Sequence, residues 1–277
     1  MFGLKSTLSV LKDIGCAPNK RLGQNFLIDP NMIKKSVQLA GIQAGDNVVE
    51  IGPGLGALTM GLLDAGAKVF AVEYDRALYS FLCKNFSQNG LFSLLNGDAV
   101  EFPVAGLPDD VFDYKIVSNL PYAISTAWLD GVLGRDFLPK IMVLMLQRET
   151  VSRFTSSPDC KNFGAISLFL NSAYSIECIH NVSRKCFYPE PKVDSSLLVL
   201  RKMEQPYIFF LKTKSLIRFL FNYRRKQIGS TLKICEAEDG PFLKKALQTS
   251  GIDYTSRPEN VPIETWQKLD KELRQLL

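Results

Sequence analysis

The middle of the chain alternates between short apolar runs and longer amphipathic segments. Helical spacing of apolar positions occurs at residues 55–65, 77–86 and 126–133, and apolar runs occupy residues 47–51, 68–73, 91–95, 114–118 and 141–146. Short apolar strands that alternate with helices are typical of a parallel sheet covered on both faces. The pattern therefore predicts an α/β domain with a doubly wound, mostly parallel sheet over residues 46–202.

The two ends of the chain lack this alternation. The first 45 residues have a basic, helical pattern, in which Asp29 and Pro30 begin a helix at 31–40 that Gly41 ends. Beyond residue 202, helical spacing recurs at 208–222, 224–234, 241–249 and 262–276. We therefore predict two domains: residues 1–204, with a basic helical N-terminal segment at 1–45, and a small all-helical C-terminal domain at 205–277.

Charge is divided unevenly between these regions. The 277 residues hold 33 Lys and Arg against 28 Asp and Glu, a net charge of +5. Residues 46–140 contain 12 acidic and 6 basic side chains, so the other 182 residues carry 27 basic and 16 acidic ones. The net charge is therefore −6 in the middle and +11 in the remainder, and the function must account for both.

Cysteine and histidine usage narrows the chemistry. The six cysteines are scattered with no C-x-x-C pair, which indicates the reduced thiols of an intracellular protein. With His180 as the only histidine, the sequence argues against a clustered zinc site and against a nucleophile activated by histidine. No apolar run approaches the roughly 20 residues that span a bilayer, so we expect a cytoplasmic protein without a membrane partner.

A glycine-rich turn follows the first strand of the alternating region. Gly52, Gly54 and Ala57 satisfy the pattern G-x-G-x-x-A, and Glu73 closes the second strand 21 residues after Gly52. Glycines allow a ligand to approach the backbone, and an acid at this distance suits the two hydroxyls of a ribose. The turn therefore predicts a cofactor that contains a nucleoside.

Two acidic positions favour S-adenosylmethionine (SAM) over NAD. Glu50 lies within an apolar strand, where a carboxylate is costly to bury unless a partner such as a cationic cofactor compensates it. Asp98, in the segment NGDA after the third strand, could accept a hydrogen bond from an adenine amino group. The alternative for Asp98 is a turn-forming role without a ligand. These positions predict a Rossmann-like, SAM-dependent methyltransferase domain.

The fourth strand ends in the segment SNLPY, which predicts the reaction site. Pro121 helps to leave the Leu120 carbonyl free as an acceptor, Asn119 offers a side-chain acceptor, and Tyr122 offers a flat ring. An exocyclic amine on a planar base needs these features, because accepting its N–H bonds favours a pyramidal nitrogen with an available lone pair. The alternative is an ordinary strand exit through an Asn-Leu-Pro turn.

The order of these motifs resembles that of the ribosomal RNA adenine N6-dimethyltransferases, and among them the kasugamycin-resistance type that acts on the small subunit. The resemblance covers nearly the whole chain. It rests on KRLGQNFL at residues 20–27, EIGPGLG at 50–56, Glu73, NGDA at 96–99, NLPY at 119–122 and FYPEPKVDS at 187–195. The joint order and spacing of these segments are far more specific than any one of them.

The resemblance implies roles for particular residues. Asn25 and Leu27 would cover the methionine end of SAM beside Gly52, Glu73 would hold the ribose, and Asp98 the adenine amine. The implied catalytic residues are Asn119, Leu120, Tyr122 and Phe187. Asn119 would lie near both the methyl group and the target nitrogen. Phe187 would stack on the flipped base opposite Tyr122, and its alternative is a core phenylalanine before a proline-rich turn.

The resemblance also implies the substrate. It implies that two adjacent adenines near the 3′ end of small-subunit (16S) ribosomal RNA become N6,N6-dimethyladenosines during small-subunit biogenesis. The partner would be this RNA or a pre-small-subunit particle, and we expect the protein to be a monomer. The alternatives are a large-subunit rRNA adenine methylase of the antibiotic-resistance type, a methyltransferase-derived RNA-binding or transcription-assisting protein, and an NAD-dependent oxidoreductase, which would leave residues 119–122 without a role.

A carboxylate-free stretch near the C-terminus is the candidate RNA surface. Residues 212–235 contain no acidic side chain and seven basic ones, namely Lys212, Lys214, Arg218, Arg224, Arg225, Lys226 and Lys233. Such a stretch is suited to tracking phosphates, although a solvated helix face has the same composition. Further basic residues near the N-terminus would extend this surface if they lie nearby: Lys20, Arg21, Lys34 and Lys35.

Overall fold

The structure is a computed structural model, and it describes residues 3–19, 22–233 and 240–276. The chain divides into two compact units. The first comprises Met1–Val151 and Ser175–Lys202, and the second comprises Ser152–Tyr174 and Met203–Leu277. Within the described ranges, no helix is both long and apolar enough to cross a membrane.

A seven-stranded sheet forms the centre of the first unit. Its strands follow the order β4-β3-β2-β5-β6-β9-β7, and all neighbouring pairs from β4 to β6 are parallel, whereas β9 is antiparallel to β6. The strands are β2 (Asn47–Ile51), β3 (Lys68–Glu73), β4 (Phe92–Asn96), β5 (Lys115–Asn119), β6 (Ile141–Gln147), β7 (Tyr174–Val182) and β9 (Ser195–Lys202). The predicted doubly wound, mostly parallel sheet is confirmed.

Two helices of the first unit, α2 (Pro30–Leu39) and α4 (Arg76–Phe86), begin where an aspartate side chain satisfies their free N–H groups. The Asp29 carboxylate accepts from the backbone N–H groups of Asn31 and Met32 with Pro30 in the first turn, as predicted, and Asp75 caps α4 in the same way. The helices are α1 (Leu4–Asp13), α2 (Pro30–Leu39), α3 (Ala57–Asp64), α4 (Arg76–Phe86) and α5 (Ser125–Val132).

The basic N-terminal segment is helical in α1 and α2 and forms a two-residue strand between them. There, β1 (Phe26–Leu27) pairs antiparallel with β8 (Phe187–Tyr188) in a separate two-stranded sheet, with Leu27 opposite Phe187. The helical pattern of residues 1–45 therefore does not extend through residue 26, because the backbone at that point forms its hydrogen bonds with β8. This pairing holds the N-terminal segment beside the carboxyl ends of the sheet strands.

The second unit is helical in the residues that the structure describes. Its helices are α7 (Ala165–Ala173), α8 (Leu211–Asn222), α9 (Ile228–Leu232), α10 (Gly240–Thr249) and α11 (Ile263–Leu276), and α6 (Arg148–Phe154) crosses from the first unit into it. The buried Asp270 carboxylate joins α11 to the segment that precedes α8 by accepting from the Tyr207 hydroxyl at 2.8 Å and the Phe210 backbone N–H at 2.9 Å.

The unit boundary lies near the predicted one, but the second unit also includes an earlier segment. It resumes at Met203, close to the predicted start at residue 205, and it takes in residues 152–174 as well. The Phe169 ring of α7 lies 5.4 Å from that of Phe209. Because α7 packs its apolar side on residues that follow the last strand, it groups with them rather than with the sheet.

Candidate active site

A cavity of about 260 Å³ lies at the carboxyl ends of the parallel strands in the first unit. This is the edge where ligands bind in open α/β sheets. Eight of the nine site residues predicted from the sequence line it: Asn25, Leu27, Gly52, Glu73, Asp98, Asn119, Leu120 and Tyr122. Segments that are far apart in the sequence therefore meet in one site, as the motif order implied.

The glycine turn brings backbone to the wall of the cavity. Gly52 and Gly54 both have φ of +62°, a region that favours glycine. A Cβ atom on Gly52 would lie 3.2 Å from Pro121, and one on Gly54 would lie 3.1 Å from the Phe26 ring. Glycine is therefore required at both positions by backbone conformation and by the closeness of these neighbours.

Each carboxylate oxygen of Glu73 accepts a hydrogen bond from a backbone N–H group. Its Oε2 accepts from the Gly54 N–H at 3.0 Å and its Oε1 from the Asp75 N–H at 2.9 Å, while Asn96 Nδ2 donates to its backbone oxygen at 2.8 Å. Burial raises the pKa of this carboxyl, and the backbone N–H bonds oppose the rise. Each oxygen keeps a second lone pair that can accept from a ligand hydroxyl.

Glu50 has a protein partner that the sequence did not reveal. Its side chain lines the cavity at 2% exposure, and Thr59 Oγ1 donates to its Oε2 at 2.7 Å. Burial, assisted by the nearby charge of Glu73, raises the pKa of Glu50 to about 8, so the carboxyl is mostly protonated at pH 7. The buried Glu50 therefore has a partner within the protein, the Thr59 hydroxyl, in addition to the cationic cofactor that the sequence suggested.

Asp98 combines the two interpretations considered from the sequence. Its Oδ1 accepts from the Val100 N–H at 2.8 Å, which is a turn-forming contact. No described residue donates to its Oδ2, and the side chain lines the cavity. The turn therefore fixes the carboxylate and leaves one oxygen available to a ligand.

Asn119, which ends β5, and the next residue, Leu120, each bring a hydrogen-bond acceptor to the cavity. Asn119 Nδ2 donates to the Asn25 backbone oxygen at 2.9 Å, which sets the amide so that Oδ1 remains an acceptor. The Leu120 N–H donates to the Met145 carbonyl at 3.2 Å, while its own carbonyl receives no hydrogen bond from any described residue. The paired acceptors predicted from NLPY are thus present in the structure.

Tyr122 is anchored at both ends of the residue. Its Oη lies 2.7 Å from Ser195 Oγ, and Ser125 Oγ donates to its backbone oxygen at 3.0 Å. The ring is half-buried and lines the cavity. Burial raises the pKa of Tyr122 and the hydrogen bond with Ser195 opposes the rise, so the phenol is neutral at pH 7.

The chain matches known rRNA methyltransferases along nearly its whole length. The family described as ribosomal RNA adenine dimethylase matches residues 16–275. The chain is 48% identical over 267 residues to the ribosomal RNA small subunit methyltransferase A of Opitutus terrae, covering 95% of this chain and 96% of that protein. Its identity to the Clostridium acetobutylicum protein of the same name is 34%, over 92% and 93% of the two chains.

The chain belongs to the ribosomal RNA adenine dimethylase family. Solved structures at 24% identity show the same fold. A dimethyladenosine transferase from Plasmodium falciparum superposes with a TM-score of 0.71 over 89% of this chain and 96% of that one. The 23S rRNA methyltransferase ErmE gives 0.62 over 91% and 100%. The Rossmann-like methyltransferase fold predicted from the sequence is therefore confirmed.

Phe187 is the predicted site residue that does not line the cavity. Phe187 is 1% exposed and packs in the apolar core of the first unit, opposite Leu27 in the β1–β8 pair. Its ring has no free face for a base, so the structure shows the alternative considered from the sequence, a core phenylalanine. Phe187 supports the cavity from behind Leu27 instead of forming its surface.

The N-terminal segment contributes residues that sequence reasoning missed. Gln24 lines the cavity, accepts from the Asn19 N–H at 2.8 Å and donates to Asp75 Oδ2 at 3.0 Å. Thr7 of α1 also lines the cavity. The RLGQNFL segment marked this region and implied Asn25 and Leu27, but nothing in it indicated that Gln24 also lines the cavity. Lys20 and Arg21, predicted to extend an RNA surface, lie outside the described residues.

Proposed function

We propose that this chain transfers methyl groups from SAM to the exocyclic N6 of two adjacent adenines near the 3′ end of small-subunit rRNA, giving N6,N6-dimethyladenosines. The observation that carries this proposal is the pair of free acceptors, Asn119 Oδ1 and the Leu120 carbonyl, beside the anchored Tyr122 ring. The identity of the chain to small-subunit methyltransferases A supports the choice of RNA.

The residues on the glycine side of the cavity fit SAM. Glu73 keeps free lone pairs for the ribose hydroxyls, and Asp98 Oδ2 is available for the adenine amino group. Asn25, Leu27 and Gly52 would enclose the methionine end, and Glu50 lines the same cavity. When bound there, SAM supplies an electrophilic methyl group carried on a sulfonium.

The residues after β5 prepare the amine for methylation. The adenine amino group is a poor nucleophile because its lone pair is delocalised into the ring. Asn119 Oδ1 and the Leu120 carbonyl accept its two N–H bonds, which favours a pyramidal nitrogen. Each transfer replaces one N–H bond with an N–CH3 bond and releases one proton, during or after transfer, so the second transfer starts from an amine with one N–H bond. The face of Tyr122 stacks on the flipped base, an interaction worth about 1–3 kcal/mol per base. Orientation therefore supplies most of the catalysis.

The second unit offers part of the predicted RNA surface. Lys212, Arg225, Lys226 and Lys233 are exposed. Lys214 is 3% exposed with its Nζ 5.0 Å from the centroid of the Phe169 ring, which corrects its assignment to an RNA-facing surface. We propose that the four exposed residues contact phosphates of the rRNA or of a pre-small-subunit particle.

Removing exposed charge tests this surface. Arg225→Gln with Lys226→Gln should lower the slope of log binding constant against log salt by about 1–2 for RNA. Lys245→Gln with Lys268→Gln removes the same charge from exposed positions on α10 and α11 and should leave the slope closer to that of the wild type. Equal slopes for the wild type and the Arg225 and Lys226 variant would remove these residues from the surface.

Labelled SAM and ribosomal particles test the reaction. The chain is incubated with small-subunit particles that lack the modification and, separately, with unmodified large-subunit rRNA, and labelled nucleotides are mapped. Label on two adjacent adenines near the 3′ end of the small-subunit RNA supports the proposal. Label only on large-subunit RNA would identify the antibiotic-resistance type, and no label on either would favour a non-catalytic RNA-binding protein.

The site also bears on assembly and location. Every residue that lines the cavity comes from the first unit of one chain. We therefore propose that one chain completes the site and acts as a monomer. From its identity to small-subunit rRNA methyltransferases, we propose that it works in the cytoplasm with its particle substrate.

A further inference from the structure

A buried hydroxyl on β9 contacts the ring that we place against the target base. Ser195 is the first residue of β9 and is 0% exposed. Its Oγ lies 2.7 Å from Tyr122 Oη, although the two residues are 73 positions apart. The reaction proposed above assigns no role to Ser195.

The buried surroundings show that the hydroxyl needs this partner. The six residues from Ser195 to Leu200 are all buried. A buried hydroxyl that has lost its partner costs about 1–3 kcal/mol. In the structure the Tyr122 phenol is the group that satisfies Ser195, and the hydrogen bond in turn fixes the end of the tyrosine ring.

Two neighbouring strands, β6 and β9, hold the segment that follows β5 at separate points. Leu120 donates its N–H to Met145 of β6, and Ser195 lies opposite Gln147 of β6 in the antiparallel register. The segment that follows β5 is therefore attached to β6 through its backbone and to β9 through the Tyr122 hydroxyl. A ring held at its far end cannot tilt freely about its side-chain bonds.

We propose that Ser195 is a positioning residue for methyl transfer. Its hydrogen bond fixes the position of the far end of the Tyr122 ring, so that a stacked adenine presents its amino group to Asn119 Oδ1 and the Leu120 carbonyl. This inference rests on the proposed function, since it assumes an adenine on that ring. A tyrosine lacking the bond would still stack, but over a wider range of orientations.

A double-mutant cycle tests the inference. Ser195→Ala and Tyr122→Phe each remove the same hydrogen bond, from opposite sides, and the second keeps both the ring and Ser195. In single-turnover methylation of small-subunit particles, each variant and the double variant should show the same fall in rate, about threefold to tenfold. SAM affinity by calorimetry and KM for particles should stay within about twofold of the wild type.

Ser196→Ala is the matched control, because Ser196 is the adjacent residue of β9, is 1% exposed and has no hydrogen bond to Tyr122. It should leave the rate unchanged. A wild-type rate for Ser195→Ala or Tyr122→Phe, additive losses in the double variant, or an equal loss in Ser196→Ala would overturn the inference. Failure of the wild-type chain to methylate any particle would instead reject the proposed function.

Discussion

The two halves of the site are built from contacts of very different range along the chain. In the cofactor half, defined as Gly52, Glu73 and Asp98, each carboxylate accepts from a backbone N–H two residues away, and Gly54 reaches Glu73 across 19 positions. In the target half, defined as Asn119, Leu120 and Tyr122, the side-chain contacts to Asn25 and Ser195 span 94 and 73 positions.

This difference indicates how each half depends on the rest of the fold. The cofactor half needs only successive βα units, whose turns satisfy its polar groups locally. The target half needs the N-terminal segment and β9 to be in place, because both supply its anchors. Substitutions in the cofactor half should therefore change SAM binding, and those in the target half should change the rate of transfer.

The largest effect is expected in the target half, from Asn119→Ala. The variant loses an acceptor for the target amine, so single-turnover methyl transfer should fall by about 100-fold. Because Asn119 Nδ2 holds only the Asn25 backbone oxygen, SAM affinity measured by calorimetry should fall by no more than a few-fold. Full activity in this variant would contradict the division into halves. Asn96→Ala removes a hydrogen bond to the Glu73 backbone oxygen. In this variant SAM affinity should fall, whereas the single-turnover rate with saturating SAM should stay close to that of the wild type.

In the cofactor half, Glu73→Ala should weaken SAM binding by about tenfold to a hundredfold, because hydrogen bonds to a charged group contribute about 1.5–3 kcal/mol. Calorimetric titration with SAM measures this loss. Glu101→Ala, an exposed carboxylate removed nearby, is the control and should bind SAM normally. Unchanged affinity in Glu73→Ala would exclude Glu73 from the cofactor half.

A smaller effect should appear as a pH dependence at Glu50. With its pKa raised from 4.5 to about 8, the folded protein holds a proton there that a cationic ligand would displace. SAM affinity should therefore rise between pH 6 and 8, by less than about tenfold per pH unit. Calorimetry in two buffers of different ionisation enthalpy should detect proton release in the wild type and none from this site in Glu50→Gln.

The same group gives a signed prediction for stability without ligand. Because the folded state binds this proton more tightly than the unfolded state, the contribution of Glu50 to the free energy of unfolding falls as pH rises from 4.5 through about 8. Urea titrations across this range should show a shallower decline for Glu50→Gln than for the wild type. Identical pH profiles would mean that Glu50 is ionised in the folded protein.

The smallest effect should come from the bond that joins the strands of the two halves. Ser118 Oγ of β5 donates to the Ile51 carbonyl of β2 at 2.8 Å, and both groups are buried. Ser118→Ala should lower the free energy of unfolding by about 1 kcal/mol, measured by urea titration, with SAM affinity nearly unchanged. A loss of SAM binding larger than the loss of stability would show that the halves are less separate than their contacts indicate.

The cofactor half could be predicted from the sequence because its signals are local. Gly52 and Glu73 follow strands with a recognisable apolar pattern, and their spacing sets where they lie at the sheet edge. The pairs that satisfy Glu50 and Tyr122 were missed. Thr59 carries no signal of its own, and the motif that ends at Ser195 does not indicate which side chain that serine meets. Their importance depends on which side chains meet when the strands pack.

Two residues were assigned wrongly because their exposure depends on tertiary contacts that the sequence does not show. Phe187 lies in a motif that implied a ring facing the base, but β8 pairs with β1 and turns that ring into the core. Lys214 belongs to a basic run, but its position on α8 places its ammonium over the Phe169 ring. A charge or an aromatic ring in the sequence does not specify its own exposure, because exposure depends on the neighbouring elements.

The sequence by itself determined the alternating sheet, the glycine turn and the family, since apolar periodicity and ordered motifs are properties of the chain read in one dimension. The tertiary structure decided which groups are free to act. It buries Glu50 near Glu73 and so raises the pKa of Glu50, leaves the Leu120 carbonyl without a donor among the described residues, and fixes Tyr122 through Ser195. These properties depend on burial and on contacts between distant residues, which exist only once the strands are packed.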